Sequence, residues 1–225
     1  SLFRVIFVRL KEPSFSRTGS FPDAAGCTGR RMTPPFLQER LWSHRMELTE
    51  KPLSSTEIFS GRVLHIRVDR VQLPNGHEST REVVAHPGGV GVVALTDGGE
   101  VLLVQQYRYP YGEVVTEIPA GKREPGEDPL VTGRRELEEE TGYTADRYEP
   151  LGTLYPSPGY TDEVIHLYLA TGLHRTAAHP DEDEFLHVLR RPLAQLVEQV
   201  MDGALPDAKT QIALLKVWKK TGGSL

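Results

Sequence analysis

From about residue 58 onward, apolar and polar positions recur with the period of β-strands. Leu64, Ile66 and Val68 alternate with His65, Arg67 and Asp69, as on a half-buried strand. Pro74-Asn75-Gly76 is a turn signal, and a second strand runs from about Glu78 to His86, so residues 61–86 read as an antiparallel hairpin. The next two segments are apolar without alternation. VGVVAL (90–95) and VLLVQQ (101–106) flank the turn Thr96-Asp97-Gly98-Gly99 and suit central strands covered on both faces. Further strands are expected at Val114–Ile118, Leu151–Tyr155, Val164–Ala170 and Phe185–Leu189. Helical signals fall at 128–142, from Pro192 to about Met201, and from Asp207 to Lys220, where Ile212, Leu215 and Trp218 recur at helical spacing. There is no internal repeat. The pattern predicts a layered α/β (α+β) domain with a mixed sheet, one central helix and terminal helices.

Composition changes this picture mainly at the start of the chain. Residues 1–45 mix Pro, Ser, Gly and Arg with little periodicity. They read as a loosely structured extension or a misassigned start, with Met32 or Met46 as alternative initiators, or else as an arm that orders against a partner subunit. The expected organisation is this extension (1–45), an N-terminal β region (46–86) and a main domain (87–225). The net charge of −5 argues against a dedicated nucleic-acid binder but not against a nucleotide substrate. The single cysteine, Cys27, rules out an intrachain disulfide and fits a reducing compartment, so a cytoplasmic location is expected. No apolar run approaches the roughly 18–20 residues of a membrane-spanning helix, and the initial SLFRVIFVRL lacks a clear cleavage pattern. No membrane partner is expected.

Residues 121–143, GKREPGEDPLVTGRRELEEETGY, carry the chemistry. Asp128 suits an N-cap, Pro129 the first helical position and Gly142 the residue just past the helix end. At about 100° per residue, Glu136, Glu139 and Glu140 fall within one arc of the helix surface. Like charges one turn apart repel, and a cation between them reverses that. Oxygen-only ligands favour a hard ion, Mg²⁺ or Mn²⁺, which clamps phosphate oxygens. Taken alone, the carboxylates fit a solvated acidic helix face better than a metal site.

The surrounding pattern resembles the Nudix box, GX5EX7REUXEEXGU with U a bulky apolar residue. Gly121, Glu127, Arg135, Glu136, Leu137, Glu139, Glu140 and Gly142 all fall in place, with Tyr143 an aromatic at the last apolar position. The resemblance implies an α/β/α sandwich and hydrolysis of a nucleoside diphosphate linked to another group. It also implies that Glu136 and Glu140 are the principal metal ligands and that Glu139 is a further ligand or metal-water contact. Arg135 would orient the glutamates by ion pairing, and Glu127 would brace the loop before the helix.

Flanking segments narrow the substrate. QQYRYPYGEVVTEIPAGK (105–122) and SPGYTDE (157–163) resemble the ADP-ribose pyrophosphatase subfamily. That resemblance implies substrate contacts by Arg108, with Glu117 near the metal, Ala120 offering its carbonyl to it, and Pro158 and Gly159 in a substrate-side turn. HPDEDEF (179–185) matches the loop that supplies the catalytic base, with Glu182 the first choice and Glu184 the second; read without the resemblance, it is a solvated charge run. REVVAH (81–86) makes Arg81 and Glu82 candidates for the substrate site of a homodimer, with Arg62 a weaker one and Phe59 or Tyr107 as stacking partners for adenine. The implied reaction is Mg²⁺-dependent hydrolysis of ADP-ribose to AMP and ribose 5-phosphate. The alternatives are another nucleotide-sugar pyrophosphatase, such as one for GDP-mannose, and a module that binds ADP-ribose without cleaving it.

Overall fold

The computed structural model describes residues 47–176 and 185–223. Two sheets carry the fold. The first is a three-stranded antiparallel sheet, β1 (Lys51–Ser60), β2 (His65–Gln72) and β3 (Glu78–Ala85), in that order. Its β2–β3 pair is the expected hairpin, closed by Gly76 at φ 85°, a backbone angle that favours glycine. The added strand β1 was not expected: KPLSSTEIFS lies exposed along its whole length and has no alternation to read.

The second sheet contains β4 (Gly89–Leu95), β5 (Glu100–Arg108), β6 (Glu113–Glu117), β7 (Ala120–Lys122), β8 (Tyr143–Leu154), β9 (Ile165–Arg175) and β10 (His187–Pro192). Its main path runs β10-β5-β4-β9-β8, with β6 on β5 and β7 on β4. The β4–β9 pairing is parallel and the others are antiparallel, so the sheet is mixed. The apolar β4 and β5 are central and buried, as their lack of alternation predicted.

Helix α1 (Pro129–Thr141) covers one face, and α2 (Leu193–Met201) with α3 (Ala208–Lys220) covers the other. Strand β4 sorts its side chains between them by simple alternation. Val90, Val92 and Ala94 join Leu102 and Leu137 of α1 in one core; Val93 joins Leu103, Leu167, Leu196, Leu214 and Val217 in the other. The result is an α/β/α sandwich. Gly133 lets α1 come close to the sheet, because a Cβ there would stand 3.0 Å from the Val90 side chain. Among the described residues, no helix is long and apolar enough to cross a membrane.

Candidate active site

The site begins with how α1 is held. The Asp128 carboxylate accepts a hydrogen bond from the Leu130 amide (2.8 Å), Pro129 opens the first turn, and Gly142 closes the helix at φ 69° with its N–H donated to the Glu138 carbonyl. These caps fix the helix phase. Glu136 and Glu140 turn inward and are buried, while Glu139 stays partly exposed.

The inward pair faces the chain at Ala120–Gly121. The Ala120 amide donates to Glu140 at 2.9 Å. Gly121 lies so close to Glu136 that a Cβ added there would fall inside the carboxyl group. Glycine at 121 is therefore needed for a close approach, not for an unusual backbone angle. Among the described residues, no group of three or more carboxylate, imidazole or thiol side chains is poised to cage a cation. A hard ion that arrives with a phosphate substrate needs only one or two carboxylates, with phosphate and water oxygens completing its shell. The donors at Glu136, Glu140 and the adjoining backbone fit that requirement.

Arg135 ties the outer part of the box together. Its guanidinium lies 2.8 Å from Glu136, 2.8 Å from Glu139 and 3.4 Å from Glu127. Burial works against the Arg135 charge, but Glu127, Glu136 and Glu139 outweigh it and raise its pKa. Glu127 also accepts from the Glu124 amide (3.0 Å) and the Thr132 hydroxyl (2.8 Å). Together, the Glu124 amide, Arg135 and Thr132 hold the Glu127 carboxyl at about 2.

A cleft of about 200 Å³ opens beside the box, lined by Gly89, Val90, Ala120, Gly121, Arg108, His86, Glu163 and Lys209, among others. Arg108 reaches it from β5 and forms a bidentate pair with Glu117 of β6, at 2.6 and 2.7 Å. Burial alone would raise the Glu117 pKa, but the hydrogen bonds from Arg108 and the nearby Lys209 charge overcome it and hold the carboxyl below its ordinary value. A neighbouring chamber of about 430 Å³ shares Arg108 and Lys209 as its wall and is also lined by Tyr111 and Tyr160.

The other sequence candidates sit further out. Pro158 and Gly159 occupy the turn closed by Ser157 and Tyr160, next to that chamber but not lining it. Backbone bonds between Val84 and Tyr160 and between Asp162 and Val84 dock this turn against β3. Arg81 and Glu82 lie on β3, outside both cavities; Arg81 pairs with Glu50 and Glu82 is exposed. Arg62 lines a separate pocket between the two sheets, and Phe59 and Tyr107 are exposed. Glu182 and Glu184 fall outside the described residues.

Lys209 lines the cleft without any local signal in the sequence. DAKT at 207–210 reads locally only as a helix start. His86 reads in the sequence only as a strand end; its ring lies 3.4 Å from Glu163 at the cleft wall.

Residues 85–213 match the NUDIX domain family model, and residues 50–84 match the nucleoside diphosphate sugar hydrolase N-terminal domain. The chain is a Nudix hydrolase. It is 45% identical over 169 residues to the ADP-ribose pyrophosphatase of Bacillus subtilis, which spans 74% of this chain and 91% of that protein. It is 48% identical over 167 residues to the methanol dehydrogenase activator of Bacillus methanolicus, spanning 73% of this chain and 90% of that protein. Among solved structures, an ADP compounds hydrolase superposes with a TM-score of 0.70 at 23% identity, covering 79% of this chain and 99% of the other; that likeness supports the Nudix fold alone.

Proposed function

We propose that this Nudix hydrolase cleaves the pyrophosphate bond of ADP-ribose to AMP and ribose 5-phosphate. The observation that carries the reading is that Arg108 lines the same cleft as Ala120 and Gly121, the backbone segment against which the buried Glu136 and Glu140 pack. An anion-neutralising group thus lies on the cleft wall, and the candidate cation-holding carboxylates lie directly behind that wall. Likeness to the ADP-ribose pyrophosphatase of Bacillus subtilis supports the choice of ADP-ribose.

Nudix hydrolases generally need a divalent metal, and we take Mg²⁺ as the ion, with Mn²⁺ able to substitute. Glu136 and Glu140, with the Ala120 carbonyl and a contact from Glu139, would hold it. When bound, such an ion neutralises diphosphate oxygens and makes water a stronger nucleophile near neutral pH. Arg135 keeps Glu136 and Glu139 in one orientation through the pairs described above. Arg108 binds the diphosphate and offsets charge that builds on it as the P–O bond breaks. Glu182, or failing it Glu184, takes the proton of the attacking water. Glu117 orients Arg108, and the turn at Pro158–Gly159 borders the substrate.

The same reading divides the chain into an extension (1–45), a dimerising β region (46–86) and the hydrolase domain (87–225). Support for dimerisation comes from β1: its outer edge pairs with no strand among the described residues, and Leu53, Ile58 and Phe59 are exposed on it. In such a homodimer, Arg81 and Glu82 serve the substrate site of the assembly. We place the enzyme in the cytoplasm.

A substrate panel tests the proposal. ADP-ribose with Mg²⁺ is expected to give AMP and ribose 5-phosphate at a kcat/KM well above that for GDP-mannose. Preferential turnover of GDP-mannose, or tight binding of ADP-ribose without products, would overturn it.

A further inference from the structure

Lys209 sits at the N-terminal end of α3, far from the box in sequence, yet it forms part of the wall between the cleft and the neighbouring chamber. Its ammonium pairs with Glu117 and lies 3.0 Å from Asp207. The Lys209 side chain is 12% exposed and that of Glu117 only 3%. Asp207 in turn accepts from the Thr210 amide at 2.9 Å, and the Thr210 hydroxyl accepts from the Ile118 amide at 2.9 Å, one residue from Glu117. The start of α3 is thereby fastened to the end of β6.

This arrangement sets a charge balance. Two carboxylates, Glu117 and Asp207, face two cations, Arg108 and Lys209. Glu117 gives both oxygens to Arg108, and a buried carboxylate with a single cationic partner would cancel that partner's charge almost entirely. Lys209 takes a share of the Glu117 charge, which leaves Arg108 attractive to an anion in the cleft. Without Lys209, the cluster carries a net negative charge next to the box glutamates and repels a diphosphate.

We propose that Lys209 is a positioning residue for substrate binding: it offsets Glu117 so that Arg108 stays available to the diphosphate. The proposal rests on the assignment of Arg108 to phosphate binding made above. It assigns Lys209 no contact with the reacting atoms.

The test is a charge cycle on the full chain with Mg²⁺. Lys209→Met keeps the aliphatic stem and removes the charge; it is expected to raise KM for ADP-ribose about tenfold or more, with kcat within about threefold. Lys209→Arg should restore KM to near the native value. The decisive member is Glu117→Gln/Lys209→Met. Removing the carboxylate that Lys209 offsets should recover about threefold or more of the lost KM, although it adds a second change. An unchanged KM in Lys209→Met overturns the proposal, as does a double variant no better than the single one, because that result makes Lys209 a direct ligand or a purely structural residue. Lys209→Gln serves the same cycle if Met at 209 prevents folding. Should the native chain fail to turn over ADP-ribose, the substrate reading falls and the Lys209 claim is decided by calorimetric binding of inorganic pyrophosphate with Mg²⁺. A tenfold loss in Lys209→Met that is partly recovered in the double variant supports it, and equal affinities overturn it.

Discussion

Gly121 carries a constraint that its backbone angle does not reveal. Any Cβ at that position would collide with the Glu136 carboxyl group, and moving that carboxyl aside would disturb its ion pair with Arg135. Gly121→Ala should therefore fold normally and lose about a hundredfold in kcat, the scale of effect that a misplacement of about 1 Å produces. Steady-state kinetics beside a thermal melt check this; a kcat within threefold of native contradicts it. Glu127 makes a different claim. Its folded carboxyl titrates at about 2, against an ordinary 4.5. Its contribution to stability is thus fully present above the ordinary value and is lost as pH falls from there towards 2. Urea unfolding from pH 7 down to pH 3 should show native protein losing more stability than Glu127→Gln; parallel curves would remove Glu127 from the account.

Among the elements, α1 was legible almost to the residue because its signals are local. Asp128, Pro129 and Gly142 each act within a few residues of themselves, and the structure uses Asp128 and Gly142 as caps and Pro129 as the first helical residue. The inward turn of Glu136 and Glu140 follows from that phase. Strands β4 and β5 were legible because burial on both faces erases alternation. By contrast, β1 presents polar and apolar residues alike to solvent, and β7 is only three residues long, so neither leaves a periodic trace. Lys209 was illegible for a further reason. Its partner Glu117 is 92 positions away, and helix propensity alone explains a lysine at 209. At this scale, Leu137 is the test. It is fully buried between α1 and the sheet, so Leu137→Ala should cost about 2–5 kcal/mol, read as a lower urea midpoint at unchanged slope. A cost below 1 kcal/mol would mean that α1 is not anchored through this core.

At the scale of the whole molecule, one end of the sandwich gathers groups that the chain supplies from distant segments. The box helix brings two buried carboxylates, β5 and β6 bring Arg108 and Glu117, and α3 brings Lys209 from the opposite layer. A divalent cation ties this assembly to function. Removing it with a chelator should abolish turnover, and Mg²⁺ should restore it. The most direct measurement is AMP release from ADP-ribose with saturating Mg²⁺, for the native chain and for Glu140→Gln. The account predicts steady release by the native protein and a loss of at least about a hundredfold in the variant, with the fold intact. Equal rates in the two proteins would contradict it.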